Sequence, residues 1–245
     1  MTPESWLLVV LVGAIALLYA SVGHGGASGY LAAMALVGVA PAVMRPTALA
    51  LNILVASLAS WQFARWFSWR LFWPFAVTAV PAAALGGALT LPDPIYKRLV
   101  GLVLLYGAFH LFRTATRASE PGVRPPPVGL ALPVGAGLGA LAGLTGVGGG
   151  IFLSPLLLAA GWAGARETAA ASAVFILVNS ISGLGAFFAT RGVTPGPELG
   201  FLALAAGVGG FTGSRLGSRR LSRPAIRRLL AVVLVVAGIK FLLLL

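Results

Sequence analysis

Two stretches of this sequence, Ser21-Val-Gly-His-Gly-Gly-Ala27 and Leu144-Thr-Gly-Val-Gly-Gly-Gly150, decide its fold because they place one glycine-rich pattern in each half of the chain. Two further matched pairs follow in the same order. These are Arg45-Pro-Thr-Ala-Leu-Ala with Arg166-Glu-Thr-Ala-Ala-Ala, and Pro94-Ile-Tyr-Lys-Arg-Leu with Pro224-Ala-Ile-Arg-Arg-Leu. Ordered self-similarity indicates a duplicated unit. We predict two repeats, residues 1–113 and 128–245, joined by a polar linker over residues 114–127.

The composition places both repeats in a lipid bilayer. Of the 245 residues, 59% are hydrophobic and only 9% are charged, and the mean hydropathy is +0.99. A soluble domain carries about a quarter charged residues. Apolar runs such as residues 71–91 reach the roughly 20 residues that span a bilayer as a helix. The alternating segments of a membrane β-barrel are missing from the sequence, so the pattern predicts an all-α polytopic membrane protein.

Each repeat is predicted to hold a hydrophobic segment, a glycine-rich break, a short apolar arm and three transmembrane helices. The first repeat has these elements at residues 6–21, 29–37, 45–64, 69–89 and 95–113, and the second at 128–144, 151–160, 166–190, 198–216 and 225–245. Each arm is near 15 Å long at about 1.5 Å per residue, which is half a bilayer. We predict that each broken segment is re-entrant, since irregular backbone survives at membrane depth only inside protein or beside a cavity.

The positive charges predict how the repeats are oriented. With re-entrant breaks each repeat crosses the bilayer an odd number of times, so the two repeats are inverted. A cytoplasmic linker then leaves Arg45, Lys97, Arg98, Arg191 and Lys240 outside and the other twelve of the 17 Lys and Arg residues inside. A parallel arrangement would place most of them outside. The positive-inside rule therefore favours inverted repeats with both termini outside, a recurrent design of secondary transporters.

The glycine-rich breaks are the leading candidates for a binding site. Glycine allows a sharp turn and a close approach of the ligand to the backbone. A helix that starts at such a turn presents unpaired N–H groups and the positive end of its dipole, and two such starts would form an anion site. Close helix packing is the alternative role of these glycines. The candidate residues are Gly23, His24, Gly25, Gly26 and Ala27 in the first break, and Gly146, Val147, Gly148, Gly149 and Gly150 in the second.

Polar residues on the helix after each arm extend the candidate site. They are Thr47, Asn52 and Ser57 in the first repeat, and Thr168, Ser172 and Asn179 in the second. Asn52 and Asn179 fall near the centres of their helices, where an amide needs a partner. Hydrogen bonds between helices would satisfy them equally well. His24 is the one titratable group expected at membrane depth, as an anion donor or as a core histidine.

The remaining ionisable residues limit which ions the protein could carry or bind. The acids are Glu4, Asp93, Glu120, Glu167 and Glu198, all near predicted helix ends or in loops. A proton or sodium pump usually keeps a carboxylate at membrane depth, and a divalent-metal carrier needs oxygen ligands there. The chain has no cysteine, which excludes disulfides and thiolate metal sites. We expect no metal and no cofactor, and we assign the net charge of +12 to topology rather than to nucleic acid.

The repeated Gly-x-Gly-Gly break followed by Arg-x-Thr-Ala resembles the sulfite exporter TauE/SafE family of anion permeases. The likeness covers nearly the whole chain. It rests on the order of four motifs, Gly23–Ala27, Arg45–Asn52, Gly146–Gly150 and Arg166–Ser172. The resemblance implies transport of sulfite, thiosulfate, sulfonates or related sulfur-containing anions across a bacterial-type inner membrane. It also implies that both glycine motifs line the substrate path. Ala27 departs from the triple glycine that ends at Gly150.

The sequence therefore predicts a secondary transporter of a small anion and not an enzyme. An anion channel is the nearest alternative. A more distant one is an intramembrane serine protease, because Gly26-Ala-Ser-Gly29 contains Ser28 and His110 lies downstream, and a Ser–His pair can perform acyl chemistry. The expected partners are the anionic substrate and the lipid bilayer, with a homodimer left open.

Overall fold

The computed structural model describes residues 3–114, 123–191 and 198–219, together with residues 235, 238, 239, 242 and 243. Within these residues the regular secondary structure is helical, apart from one isolated β-bridge between Val123 and Ala163. The described α-helices are α1 (Pro3–Ala20), α2 (Ala27–Leu36), α3 (Pro41–Phe63), α4 (Trp69–Ala88), α5 (Asp93–Thr114), α6 (Val128–Thr145), α7 (Gly150–Ala159), α8 (Ala165–Arg191) and α9 (Leu199–Arg219). Most of the predicted last helix, residues 225–245, lies outside the described residues, as does the motif that begins at Pro224.

The helices confirm the predicted all-α architecture. Both breaks fall between a long helix and a short arm, and each arm, α2 and α7, has 10 residues. The largest difference is that α3 begins at Pro41, ahead of the predicted start at Arg45. Proline is favoured in the first turn of a helix, where its missing N–H group leaves no acceptor unpaired.

The outer surface of the bundle is suited to lipid. Within the described part of the chain, six helices are long and apolar enough to cross a membrane, namely α1, α3, α4, α6, α8 and α9. Large apolar side chains face outward, including Leu85, which is 69% exposed, and Leu204, which is 68% exposed. Such a surface is unfavourable in water and favourable in hydrocarbon. The chain is therefore a multi-pass membrane protein.

The most extensive helix contacts connect the first half of the chain with the second. α4 packs along α6, α1 packs along α9, and α3 packs against α8 at the centre. The start of α3 lies beside the end of α8 and the start of α8 beside the end of α3, since Arg45 stacks on Phe187 and Arg166 on Trp66. These corresponding helices are thus antiparallel. Inverted copies would give this arrangement, and the orientation of the halves in a bilayer stays a prediction.

Stripes of glycine permit the close contacts between the halves. In α6, a Cβ atom at Gly135, Gly139 or Gly143 would overlap the backbone of α4. In α9, a Cβ atom at Gly209 or Gly213 would overlap the backbone of α1, and one at Gly217 would overlap the backbone of Ser21, the residue after α1. Lipid removes the hydrophobic force that drives helices together in water, so membrane helices rely on such close backbone contact. The glycine stripes therefore hold the two halves together.

We predict that Gly139→Ala destabilises the protein while Gly137→Ala, on the same helix, does not. A methyl group at Gly139 would overlap the carbonyl oxygen of Ala79, whereas nothing lies within 4 Å of a Cβ atom at Gly137. Overpacking typically costs about 1–3 kcal/mol, and alanine at an open helical site gains up to about 1 kcal/mol in helix propensity. Thermal unfolding in detergent measures both variants, and equal midpoints would contradict this account of the packing.

Candidate functional site

The two glycine-rich breaks meet between α3 and α8 on either side of one fully buried residue, Asn52. The N–H group of Ala27 donates to Asn52 Oδ1 at 3.1 Å. Asn52 Nδ2 donates in turn to the carbonyl oxygen of Val147 and to Ser180 Oγ, both at 3.4 Å. The amide of Asn52 therefore joins the first break, the second break and α8.

Each break uses glycine to adopt left-handed backbone. In the first break, Gly23 has φ of 79° and Gly26 has φ of 103°, and in the second break Gly146, Gly148 and Gly149 have φ of 81°, 78° and 79°. L-residues with a side chain rarely adopt these angles. Gly26 and Gly149 are the residues that precede α2 and α7. The turns therefore set the direction in which the two arms start.

Glycine is also required because the breaks lie against side chains of α3 and α8. A Cβ atom at Gly148 would lie 2.6 Å from Asn52 Nδ2 and 2.9 Å from Ile176 Cγ2. A Cβ atom at Gly25 would overlap Asn52 Oδ1 and lie 3.0 Å from the same Ile176 methyl group. Both breaks are thus in van der Waals contact with one asparagine and one isoleucine.

The starts of the two arms provide anion-binding chemistry at this meeting point. Helix geometry leaves the first N–H groups of α2 and α7 without acceptors inside their helices. Asn52 takes the N–H group of Ala27, the first residue of α2. The positive ends of both helix dipoles also lie at the breaks. A small anion could accept hydrogen bonds from such groups without any cationic side chain.

A chain of hydrogen bonds ties the first break to the second repeat. His24 Nε2 lies 3.0 Å from Ser154 Oγ in α7, and Ser154 Oγ lies 2.7 Å from Ser172 Oγ in α8. His24 Nδ1 lies 3.2 Å from the carbonyl oxygen of Val22, which can only accept a hydrogen bond. Nδ1 therefore carries a proton, and in the neutral ring Nε2 accepts from Ser154. His24 thus contacts both halves of the protein.

Buried tyrosines form further hydrogen bonds with residues at the two breaks. Tyr30 Oη donates to the carbonyl oxygen of Gly25 at 2.8 Å, and Tyr96 Oη donates to that of Thr145 at 3.3 Å. Ser28 Oγ donates to Tyr19 Oη at 2.9 Å, which connects the start of α2 to the end of α1. These bonds satisfy polar groups that lipid and protein could not otherwise solvate.

The structure brings most of the predicted site residues together. The residues of both breaks, Asn52 and Ser172 lie at the meeting point described above. Thr47 and Thr168 are buried near the starts of α3 and α8. Asn179 Nδ2 donates to the carbonyl oxygen of Phe175 in its own helix. Ser57 is not with them, because it is exposed on the outside of α3 and donates to the carbonyl oxygen of Ile53.

Two buried acceptors beside this group have no partner among the described residues. They are Thr168 Oγ1 and Asn179 Oδ1. A buried polar atom without a hydrogen bond is costly, and such atoms are concentrated at functional sites. Both belong to α8, the helix that contacts both breaks. The described residues contain no group of three or more His, Cys, Asp or Glu side chains that could hold a metal ion.

Sequence reasoning missed Ser154, Ile176 and Ser180. Ser172, Ile176 and Ser180 follow one another at a spacing of four, and this spacing places them on one face of α8. That periodicity would have selected Ser180 rather than its neighbour Asn179 as the residue facing Asn52. Ser154 is the one hydroxyl residue of the apolar arm α7, a signal that was readable once the arm was placed beside the break.

Comparison with protein families and comparison with individual known proteins each give a match over nearly the whole chain. The model of the family described as sulfite exporter TauE/SafE matches residues 7–241. A "Probable membrane transporter protein y4hK" from Sinorhizobium fredii (strain NBRC 101917 / NGR234) is 42% identical over 247 residues, which cover 99% of this chain and 100% of that protein. No solved structure matches the chain at a significant level.

We predict that Gly148→Ala costs more stability than Gly38→Ala. Both glycines have φ of 78°, so alanine meets the same backbone strain of about 1–2 kcal/mol at either position. A Cβ atom at Gly38 has nothing within 4 Å, whereas one at Gly148 would lie 2.6 Å from Asn52 Nδ2. The contact should add about 1–3 kcal/mol to the cost of the substitution at Gly148. This should appear as a lower midpoint of thermal unfolding for Gly148→Ala than for Gly38→Ala. If the two midpoints fall equally, close approach to Asn52 is not a constraint on the fold.

Proposed function

This chain belongs to the sulfite exporter TauE/SafE family and is a membrane transporter, and on that premise we propose that it is a secondary permease for a small anion. The substrate class is a sulfur oxyanion or organosulfonate, such as sulfite, thiosulfate or a short sulfonate. We further propose that it acts in an inner membrane, with the central linker in the cytoplasm and both termini outside.

The observation that carries this proposal is the junction at Asn52. One side chain contacts both glycine breaks and α8, so a movement of either repeat changes its hydrogen bonds. A secondary transporter must couple its two halves around a single substrate site near the middle of the bilayer. In this protein Asn52 and Ile176 each lie against both breaks.

The donors around this junction suit an oxyanion. Sulfite and sulfonates carry several acceptor oxygens, and the starts of α2 and α7 supply backbone N–H donors to match them. Asn52 Nδ2 and the hydroxyl groups of Ser154 and Ser172 add side-chain donors. None of the described acids, Glu4, Asp93, Glu167 and Glu198, belongs to either break or forms a hydrogen bond with Asn52.

The hydrogen bonds of Asn52 suggest how the two halves separate. The bond from Ala27, within the first repeat, is 3.1 Å long, whereas the bonds to Val147 and Ser180, in the second repeat, are 3.4 Å long. The two bonds from Asn52 Nδ2 are the ones that cross between the repeats, so they must break when the repeats move apart. We infer that an anion replaces them when the breaks move apart, and that the site is then exposed to each side of the membrane in turn.

The two alternative functions, an anion channel and a serine protease, predict observations that differ from those expected of a permease. An anion channel could use the same donors, but its flux would not saturate at low substrate concentration or exchange substrate across the membrane. For the serine protease, Ser28 is buried and donates its hydroxyl to Tyr19, and the side chain of His110 lies outside the described residues. We therefore carry the channel alone as the second candidate.

The deciding experiment is uptake of radiolabelled sulfite, thiosulfate and a short sulfonate into proteoliposomes that contain the purified protein. We expect saturable uptake of at least one anion, and faster uptake when the same unlabelled anion is inside, because a carrier returns more quickly when loaded. Linear uptake without acceleration would indicate a channel. Uptake equal to that of empty liposomes for all three anions, with folded protein, would contradict the substrate class.

We predict that Asn52→Leu lowers the saturable uptake at least about tenfold, which corresponds to about 1.4 kcal/mol. Leucine keeps the approximate volume but removes every hydrogen bond that joins the breaks. Ser57→Ala is the matched control, since Ser57 lies on the same helix and bonds only to its own turn. Elution volume and thermal midpoint confirm that both variants fold. Wild-type uptake by folded Asn52→Leu would rule out this residue as the junction.

A further inference from the structure

Two arginines share one aromatic ring where α3 begins. The guanidinium carbon of Arg45 lies 5.2 Å from the centre of the Phe187 ring, and that of Arg191 lies 4.7 Å from the same centre. Arg191 also donates to Thr90, in the connection between α4 and α5. We call Arg45, Arg191 and Phe187 the α3-start cluster.

A second group of the same kind lies where α8 begins. The guanidinium carbon of Arg65 lies 3.9 Å from the centre of the Trp66 ring, and that of Arg166 lies 5.0 Å from it. Arg65 and Arg166 are both exposed. We call Arg65, Arg166 and Trp66 the α8-start cluster.

The two clusters are counterparts produced by the duplication. Arg45 and Arg166 are the matched arginines of the two repeats, and Trp66 follows Arg45 at the same separation as Phe187 follows Arg166. Phe187 lies near the end of α8 and Trp66 lies three residues after the end of α3, and each matched arginine lies near the start of the other helix. Because α3 and α8 are antiparallel, the clusters lie at opposite ends of this helix pair.

Each cluster holds two positive charges, and the described acid next to one of them is Glu167, which directly follows Arg166 in α8. Two cations on one ring repel each other, and attraction to the ring face offsets only part of that repulsion. None of the four arginines forms an ion pair with a described carboxylate. Arg45 is 4% exposed, and its guanidinium donates to the carbonyl oxygens of Gly86, Gly87 and Leu89, while its Nε has no partner. An anion near either pair would relieve this imbalance.

Both clusters lie next to a glycine break. A Cβ atom at Gly146, in the second break, would lie 3.2 Å from Arg45 Cγ. Gly23, in the first break, packs on Ala169, which is one turn along α8 from Arg166. Each break therefore lies near a pair of cations at the end of the bundle where the long helix of the other repeat begins.

We propose that the α3-start and α8-start clusters are two anion-recruiting sites, one at each end of the substrate path. They concentrate the anion beside a break before it reaches the junction at Asn52. The inference rests on the proposed permease function and adds where its substrate first binds. Clefts lined by charge of one sign raise the local concentration of the opposite ion and the rate of association.

The test compares two double variants in proteoliposomes with radiolabelled sulfite, or with whichever of the three anions the wild type transports. Arg166→Gln with Arg191→Gln removes one outer arginine from each cluster, so the orientation of the protein in the vesicle does not matter. We expect KM to rise about three- to tenfold with kcat unchanged at low salt. The rise should disappear near 1 M of an inert salt, where the screening length is about 3 Å.

The control is Arg70→Gln with Arg113→Gln, which removes the same charge from exposed positions. Arg113 stacks alone on Phe109, so it also controls for the loss of a single arginine–ring contact. We expect KM within about twofold of the wild type, and we expect the charge-conserving pair Arg166→Lys with Arg191→Lys to keep most of the wild-type affinity. An unchanged KM for the glutamine pair, a fall in kcat alone, or an equal change in the control would each overturn the inference. Saturable wild-type uptake would leave the permease function intact in all three cases.

Discussion

The close approach of two glycine breaks to the side chain of Asn52 is the constraint on which the rest of this structure depends. Each break must turn through left-handed backbone and must also lack a Cβ atom where it lies against α3 and α8. Only glycine satisfies both conditions. Once the breaks are placed, the starts of α2 and α7, the polar chain from His24 to Ser172, and the buried tyrosines have little freedom to lie elsewhere.

The same use of small residues extends through the bundle. Glycine stripes on α6 and α9 let those helices contact the backbones of α4 and α1. In lipid the apolar side chains gain nothing by facing each other rather than the hydrocarbon, so close backbone packing supplies much of the association. Packing between the repeats, rather than within them, therefore decides which helices are neighbours, and it leaves the central pair α3 and α8 to contact both breaks.

The distribution of charge supports the proposed transport of an anion. The described acids lie at or near helix starts, while backbone N–H groups and neutral side chains surround the junction at Asn52. A neutral site can release an anion as readily as it binds one, which a buried cation would oppose because desolvation makes its attraction strong. In the arginine pairs at the starts of α3 and α8, Arg65, Arg166 and Arg191 are at least partly exposed, so solvent screens their charge more than that of the buried Arg45.

Local rules determined a large part of this protein. Hydropathy fixed the helices to within a few residues, since each run of apolar residues must bury its backbone in hydrogen bonds within lipid, and the repeated glycine motifs located both breaks. Periodicity could also have identified Ser180, because residues four apart share a helix face.

The sequence alone did not place Ser57 outside and Asn52 inside, although both are polar residues of α3. Nor did it show that the matched arginines have different surroundings, since Arg45 is buried against α4 whereas Arg166 is exposed beside Trp66. Tertiary structure decided these points, because they depend on which face of each helix meets the other repeat, and that contact joins residues more than a hundred positions apart.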